Sequence, residues 1–332
     1  MSAVWNIQPE HIAAAVSTSR EHALRSPLVP APWLGPDTWL KLELALPTGS
    51  FKVRGALTYL SQHRERAKER GVVAASAGNH GLGLAYAARL LGLRLKVFVS
   101  SALPAVKLDG MRELGAKLVL CEETQYDAVE SRARAEAEGA LFVSPFDDPS
   151  VAAGNGSAAM LEVLEALPNL ARVAVPVGGG GLLAGVCAAL RVQGSEAECV
   201  GVESEVSDAM ARSLRSNVAL ATLAPSGPTL AEGLEGGICA STLRAAQEGS
   251  VRGELVREED IAQAMVLLRG QLGRVVEGSG AATVAWARSN SLAKDVGGST
   301  VLWVTGGNVD APRVDALAGG WRPAATLSLS EE

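Results

Sequence analysis

The chain has 332 residues, 48% of them hydrophobic and 20% charged, with a net charge of −6. That length carries a sizeable core and favours roughly two domains of ~100–200 residues. A mildly acidic, evenly mixed chain excludes nucleic acid as the main partner, because phosphate binding requires a basic face.

In chain order, a polar start gives way to short β-branched runs alternating with helical patterns. Strands are predicted at 72–75, 95–99, 117–121 and 141–144. Between them fall helices at 82–91, from Pro104 to about Gly115, and at 126–138. The rhythm resumes with helix 151–167, strand 172–177, helix 182–192 and strand 199–203, then helices 258–272 and 281–289 and strand 300–304. Alternating strands and helices imply mostly parallel sheets covered by helices. Residues 220–237, rich in Thr, Pro and Gly, read as a loop near the site, since loops at strand ends carry function in such sheets. Residues 173–190 carry no charge, but Pro176 and the glycines 178–181 interrupt them, so they read as strand, loop and buried helix rather than a membrane span. The N-terminus lacks a basic region followed by an apolar one. The four cysteines form no CxxC pair and the four histidines are dispersed, which is not zinc-site spacing. A soluble, cytoplasmic protein is expected.

Four runs sit at strand ends or helix starts, where open α/β sheets bind ligands. Gly178-Gly179-Gly180-Gly181-Leu182 lets backbone N–H groups converge on an anion at a helix N-terminus. It is neither a Walker loop nor a dinucleotide fingerprint, so a phosphate monoester fits better; tight packing is the alternative use of the glycines. Ser50-Phe51-Lys52-Val53-Arg54-Gly55-Ala56 places a lysine at a helix start, where the dipole disfavours the ammonium and a free amine suits Schiff-base chemistry. Taken alone, it reads better as a surface lysine on a helix. Ser76-Ala77-Gly78-Asn79-His80 offers a hydroxyl, an amide and successive N–H groups to a carboxylate, and Thr305-Gly306-Gly307-Asn308 a neutral hydroxyl.

Together these runs resemble the fold-type II pyridoxal-phosphate enzymes, in particular the serine/threonine dehydratase and serine racemase group. Its pattern is S-F-K-x-R-G-A, S-x-G-N-H, G-G-G-G-L and S/T/C-G-G-N. Pro145-Phe146-Asp147-Asp148-Pro149 and Gly154-Asn155-Gly156 also look like that family. The resemblance implies an α/β fold of two open twisted sheets with helices on both faces, like the tryptophan synthase β-subunit. A large cofactor domain would comprise 1–65 and 147–332, and a small substrate domain 66–146. Lys52 would hold pyridoxal 5′-phosphate as a Schiff base and act as the base at the substrate α-carbon, with Phe51 packed nearby. Asn79 would bind the phenolic oxygen, Gly178, Gly179, Gly180, Gly181 and Leu182 the phosphate, and Thr305 the pyridine nitrogen. Ser76, Ala77, Asn79 and His80 would hold the substrate carboxylate. Glu277 lies beside the cofactor in the family pattern, as structural support or proton relay.

The resemblance further implies dehydration and deamination of L-threonine and/or L-serine to a 2-oxo acid and ammonia. Rival readings are a dehydratase for hydroxyaspartate or phenylserine, a racemase, and a catalytically silent relative. Family racemases carry a second serine where this chain has Ala77, and a methyl group delivers no proton. Family cation sites place oxygens four and six residues after a glutamate. Glu203 and Ser207 match that spacing and Ala209 offers its carbonyl, but without a second carboxylate they suit a monovalent ion better than a divalent one, and solvated surface acids at Glu203, Glu205 and Asp208 are an equal alternative. A homodimer is expected. The short stretch after Asn308 leads to the expectation of no appended regulatory domain.

Overall fold

The computed structural model describes residues 4–76, 78–101, 106–123, 126–289 and 296–319. Among these, ten strands form two sheets. The strands are β1 (Leu28–Pro30), β2 (Thr38–Leu42), β3 (Val72–Ala75), β4 (Leu95–Ser100), β5 (Lys117–Cys121), β6 (Leu141–Phe142), β7 (Leu170–Pro176), β8 (Glu198–Ser204), β9 (Arg252–Val256) and β10 (Ser299–Val304). The six-stranded sheet has the order β1-β2-β10-β7-β8-β9 and the four-stranded sheet β5-β4-β3-β6. Every pairing is parallel except β1 with β2.

The pleat explains how one strand feeds two cores. Along β7 and β10, Val173, Val175, Val301 and Trp303 point to one face, where they meet Met160, Leu183 and Val186. Ala174, Leu302 and Val304 point to the other, against Ile261, Met265 and Trp286. Strands buried on both faces read as continuous apolar runs, and this made β3, β7 and β10 legible. The small sheet behaves likewise. Val72, Ala74 and Val97 pack on Leu57, Leu60 and Leu84, whereas Val73, Ala75 and Phe98 pack on Val129 and Ala133.

The helix Lys52–Gln62 therefore shares its core with the four-stranded sheet. Its first turn touches the helix Asn79–Leu91, where a Cβ on Gly83 would lie 3.0 Å from Lys52 C and from Val53 N. That helix begins three residues earlier than the predicted 82, so Asn79 and His80 form its first turn.

Three strands were not predicted. β1 is only three residues long and β2 contains Lys41, whose charge is buried at 1% exposure. β9 is largely exposed at the sheet edge, with only Val256 buried. The predicted helix 151–167 is also interrupted, because Ala153–Ser157 widens into a π-turn. The start of the helix predicted from Pro104 lies outside the described residues; its described part is Val106–Glu113. Among the described residues no helix is long and apolar enough to cross a membrane.

Candidate active site

The C-terminal ends of β3, β7 and β10 open into one cavity of about 1220 Å³. Phe51, Lys52, Ser76, Asn79, His80, Gly178, Gly179, Gly180, Gly181, Leu182, Glu277 and Thr305 all line it. Ala77 lies outside the described residues.

Backbone pairing brings Lys52 beside Thr305. The Phe51 N–H donates to Thr305 O at 3.1 Å, the Gly307 N–H donates to Gly49 O at 3.0 Å, and Ser50 bridges Gly306. Lys52 opens its helix, so its ammonium faces the positive end of the dipole. Its Nζ donates to Pro145 O at 3.0 Å and lies 4.9 Å from the Phe51 ring centre. Removal from water outweighs the attraction of Glu277 and lowers its pKa from 10.5 to about 8. An amine so tuned is a usable nucleophile near neutrality.

The glycine loop fits a phosphate on structural grounds. It precedes the twelve-residue helix Gly181–Val192, whose N-cap, Gly180, has a φ of +84° and offers no side-chain acceptor. The first N–H groups of a helix have no acceptor within it, so they are available to an anion. Glycine is required here for space as well. A Cβ on Gly179 would overlap the Phe146 ring, and one on Gly178 would lie 2.7 Å from Gly233 O. Gly179→Ala should therefore weaken pyridoxal-phosphate binding about 10–100-fold, the equivalent of ~1–3 kcal/mol of overpacking. Absorbance titration of the cofactor-free protein measures this.

Asn79 is held between two partners. Its Nδ2 donates to Glu277 Oε1 at 2.7 Å, and its Oδ1 accepts from Asn308 Nδ2 at 2.7 Å. Asn308 also donates to Thr48 O at 2.8 Å. Burial and the charge of Glu232 push the Glu277 carboxyl up to about 7, against the opposing pull of the Asn79 bond and Lys52. Gly306 leaves room for this carboxylate, which a Cβ there would overlap. The Ser76 hydroxyl oxygen accepts from the Gly81 N–H at 3.0 Å and anchors the helix start. His80 is buried, and its Nε2 lies 3.0 Å from Val143 O, so the ring carries its proton there. Desolvation, reinforced by Lys52, lowers its pKa to about 3. The ring is thus neutral, and it leaves its Nδ1 lone pair without a partner. Thr305 is 3% exposed at the end of β10 and offers a hydroxyl with no charge.

The residues named for a cation are otherwise employed. Glu203 accepts from the Met210 N–H at 2.8 Å and the Ala211 N–H at 2.7 Å, capping the helix Ala209–Ser216. Ser207 donates to Leu234 O at 3.2 Å. Among the described residues no three His, Cys, Asp or Glu side chains gather as metal ligands.

Sequence reasoning missed three parts of the site: Pro145 O as the partner of Lys52, the Phe146 ring against the glycine loop, and Asn308 as the support of Asn79. The only signal was the family-like run around Pro145 and the final Asn of the last motif. The loop 220–237 does border the cavity, through Thr222–Pro225 and Leu230–Gly236.

Residues 20–306 match the family described as pyridoxal-phosphate dependent enzyme, and the chain belongs to that family. The chain is 39% identical over 295 residues to the L-threonine ammonia-lyase of Thermotoga maritima, covering 85% of this chain and 70% of that protein. It is 35% identical over 289 residues to the catabolic L-threonine dehydratase TdcB of Escherichia coli, covering 85% and 86%. Among solved structures, threonine deaminase isoform 2 from Solanum lycopersicum superposes with a TM-score of 0.85 at 29% identity over 93% of each chain. Serine racemase from Dictyostelium discoideum does so at 0.81 and 29%, covering 93% of this chain and all of that one.

Proposed function

We propose that this protein is a lyase that removes water and ammonia from a small β-hydroxy amino acid, L-threonine and/or L-serine, leaving a 2-oxo acid. The observation that carries the reading is Lys52, partly buried at a helix start with its amine pKa lowered to about 8, in one cavity with the glycine loop. The similarity to threonine ammonia-lyases supports the substrate class.

Pyridoxal phosphate, when bound, supplies a carbonyl carbon for the amino group and a ring that draws electrons from the substrate Cα. Gly178 to Leu182 would hold its phosphate through N–H groups, and Lys52 Nζ would hold its carbonyl carbon. Asn79, fixed by Glu277 and Asn308, would face its phenolic oxygen, and Thr305 its ring nitrogen. A hydroxyl, unlike a carboxylate, does not keep that nitrogen protonated, which favours rapid loss of a β-leaving group over a long-lived carbanion. The start of the helix Asn79–Leu91 would orient the substrate carboxylate, with His80 contributing its backbone N–H, since its neutral ring is turned to Val143 O. Lys52, once free, would take the proton from Cα. The sequence has Ala77 where family racemases carry a second serine, and a methyl group supplies no acid, which supports elimination over racemisation. The same reading places the protein in the cytoplasm as a homodimer; its four free cysteines suit a reducing compartment.

The test is 2-oxo acid release across a panel of serine, threonine, hydroxyaspartate and phenylserine, with borohydride reduction and peptide mapping of the loaded enzyme. A pyridoxyl adduct on any lysine but Lys52 refutes the assignment. The pH dependence is also specified. Because the Lys52 pKa is lowered to about 8, its reactive neutral form grows as pH rises and levels off above that value. Cofactor capture by the cofactor-free protein should accelerate several-fold between pH 7 and 8 and flatten beyond ~9, as followed by absorbance.

A further inference from the structure

The turn Glu232–Leu234 sits beside the first glycine of the loop, since Gly233 O is the atom a Cβ on Gly178 would approach. Glu232 Oε1 accepts from Arg313 Nη1 at 2.8 Å, across 81 residues of sequence. Both side chains line the cavity and are 50% and 43% exposed. An ion pair so exposed adds little to stability. It does decide the charge that an entering ligand meets. Among the described residues that line the cavity, the lysines and arginines are Lys52 and Arg313 alone. Lys52 donates to Pro145 O, and the His80 ring is neutral. Glu235 and Asp310 line the cavity as well, so the side of the site that carries Arg313 is otherwise acidic.

We propose that the Glu232–Arg313 pair is a selectivity device: Glu232 occupies the one guanidinium that the described residues bring to the cavity and so closes the site to amino acids with a carboxylate on the β-carbon, leaving it open to neutral β-hydroxy amino acids. The inference rests on the dehydratase reading and deepens it. On that reading, a substrate with two carboxylates seats one at Ser76, Asn79 and His80. The second must then be desolvated near Glu232 and Glu277 without a cation to receive it, and that repulsion rejects it. Releasing Arg313 would supply a planar fork matched to a carboxylate.

The experiment compares kcat/KM for 3-hydroxyaspartate and L-threonine in the wild-type holoenzyme, in Glu232→Gln, and in Glu232→Gln combined with Arg313→Gln. Glu232→Gln should raise the hydroxyaspartate-to-threonine ratio on the order of 10–100-fold, as for a new hydrogen bond to a charged group. The double variant should return the ratio to the wild-type level. An unchanged ratio in the single variant, or a gain that persists in the double variant, overturns the proposal. The same ratio is also read as equilibrium binding, from the change each amino acid causes in the cofactor absorbance. A wild type that binds threonine but releases no 2-oxo acid from it thus counts against the dehydratase reading, while the binding ratio still judges the pair.

Discussion

Lys52→Ala is expected to lower 2-oxo acid release by about 10⁴-fold, the upper range for loss of a positioned acid–base group. Two losses combine. The proposed covalent hold on the cofactor would disappear, and so would the only lysine amine that lines the cavity among the described residues. The fold should survive, because Lys52 contributes one bond, to Pro145 O, and its helix is held by Val53, Ala56, Leu57 and Leu60 beneath it. Circular dichroism and the thermal midpoint check the fold. The absorbance band of the bound cofactor should shift to that of the free aldehyde. Residual activity above a tenth of wild type would remove Lys52 from the chemistry.

Arg54→Met, two residues further along the same helix, should instead destabilise the protein. Arg54 is 1% exposed and joins two carboxylates: its Nε donates to Glu43 Oε2 at 2.7 Å and its Nη1 to Glu162 Oε1 at 2.9 Å. Lys41, also 1% exposed, donates to Glu162 at 2.5 Å and to Ser26 O at 2.9 Å. Two cations and two anions thus balance inside the protein. Removing one guanidinium leaves Glu43, with no exposed surface, without its counter-ion. Breaking a buried pair in this way costs about 3–5 kcal/mol, since the remaining charge stays desolvated. Arg54→Lys should recover only part of this, because an ammonium does not reproduce the two-sided fork. Denaturant midpoints measure both. Equal midpoints for wild type and Arg54→Met would show that water reaches the network.

The distance between these two residues in function, despite their adjacency, illustrates what was legible before folding. Runs of apolar residues revealed β3, β4, β7, β8 and β10, because strands covered on both faces need no polar alternation. β2 escaped notice because Lys41 looks like a surface residue until Glu162, 121 positions away, is folded against it. The site motifs were legible because each needs particular backbone chemistry. Glycines leave N–H groups accessible at a helix start, and a lysine there gains nothing from the dipole, so its amine is more readily free.

By itself, the sequence determined the strand–helix alternation, the glycine loop and the candidate lysine, whereas the roles expected of Ala77 and Thr305 came from the family resemblance. The first three are local properties, carried by a few consecutive residues whose conformations and functional groups do not depend on distant partners. Only the tertiary structure decided that Pro145 O receives Lys52, that Phe146 closes on Gly179, and that Asn79 is held by Glu277 and Asn308. It alone also set Glu232 on Arg313 and lowered the Lys52 pKa to about 8. Hydrogen bonds and desolvation depend on which distant segments exclude water from a group, and no spacing along the chain encodes that directly.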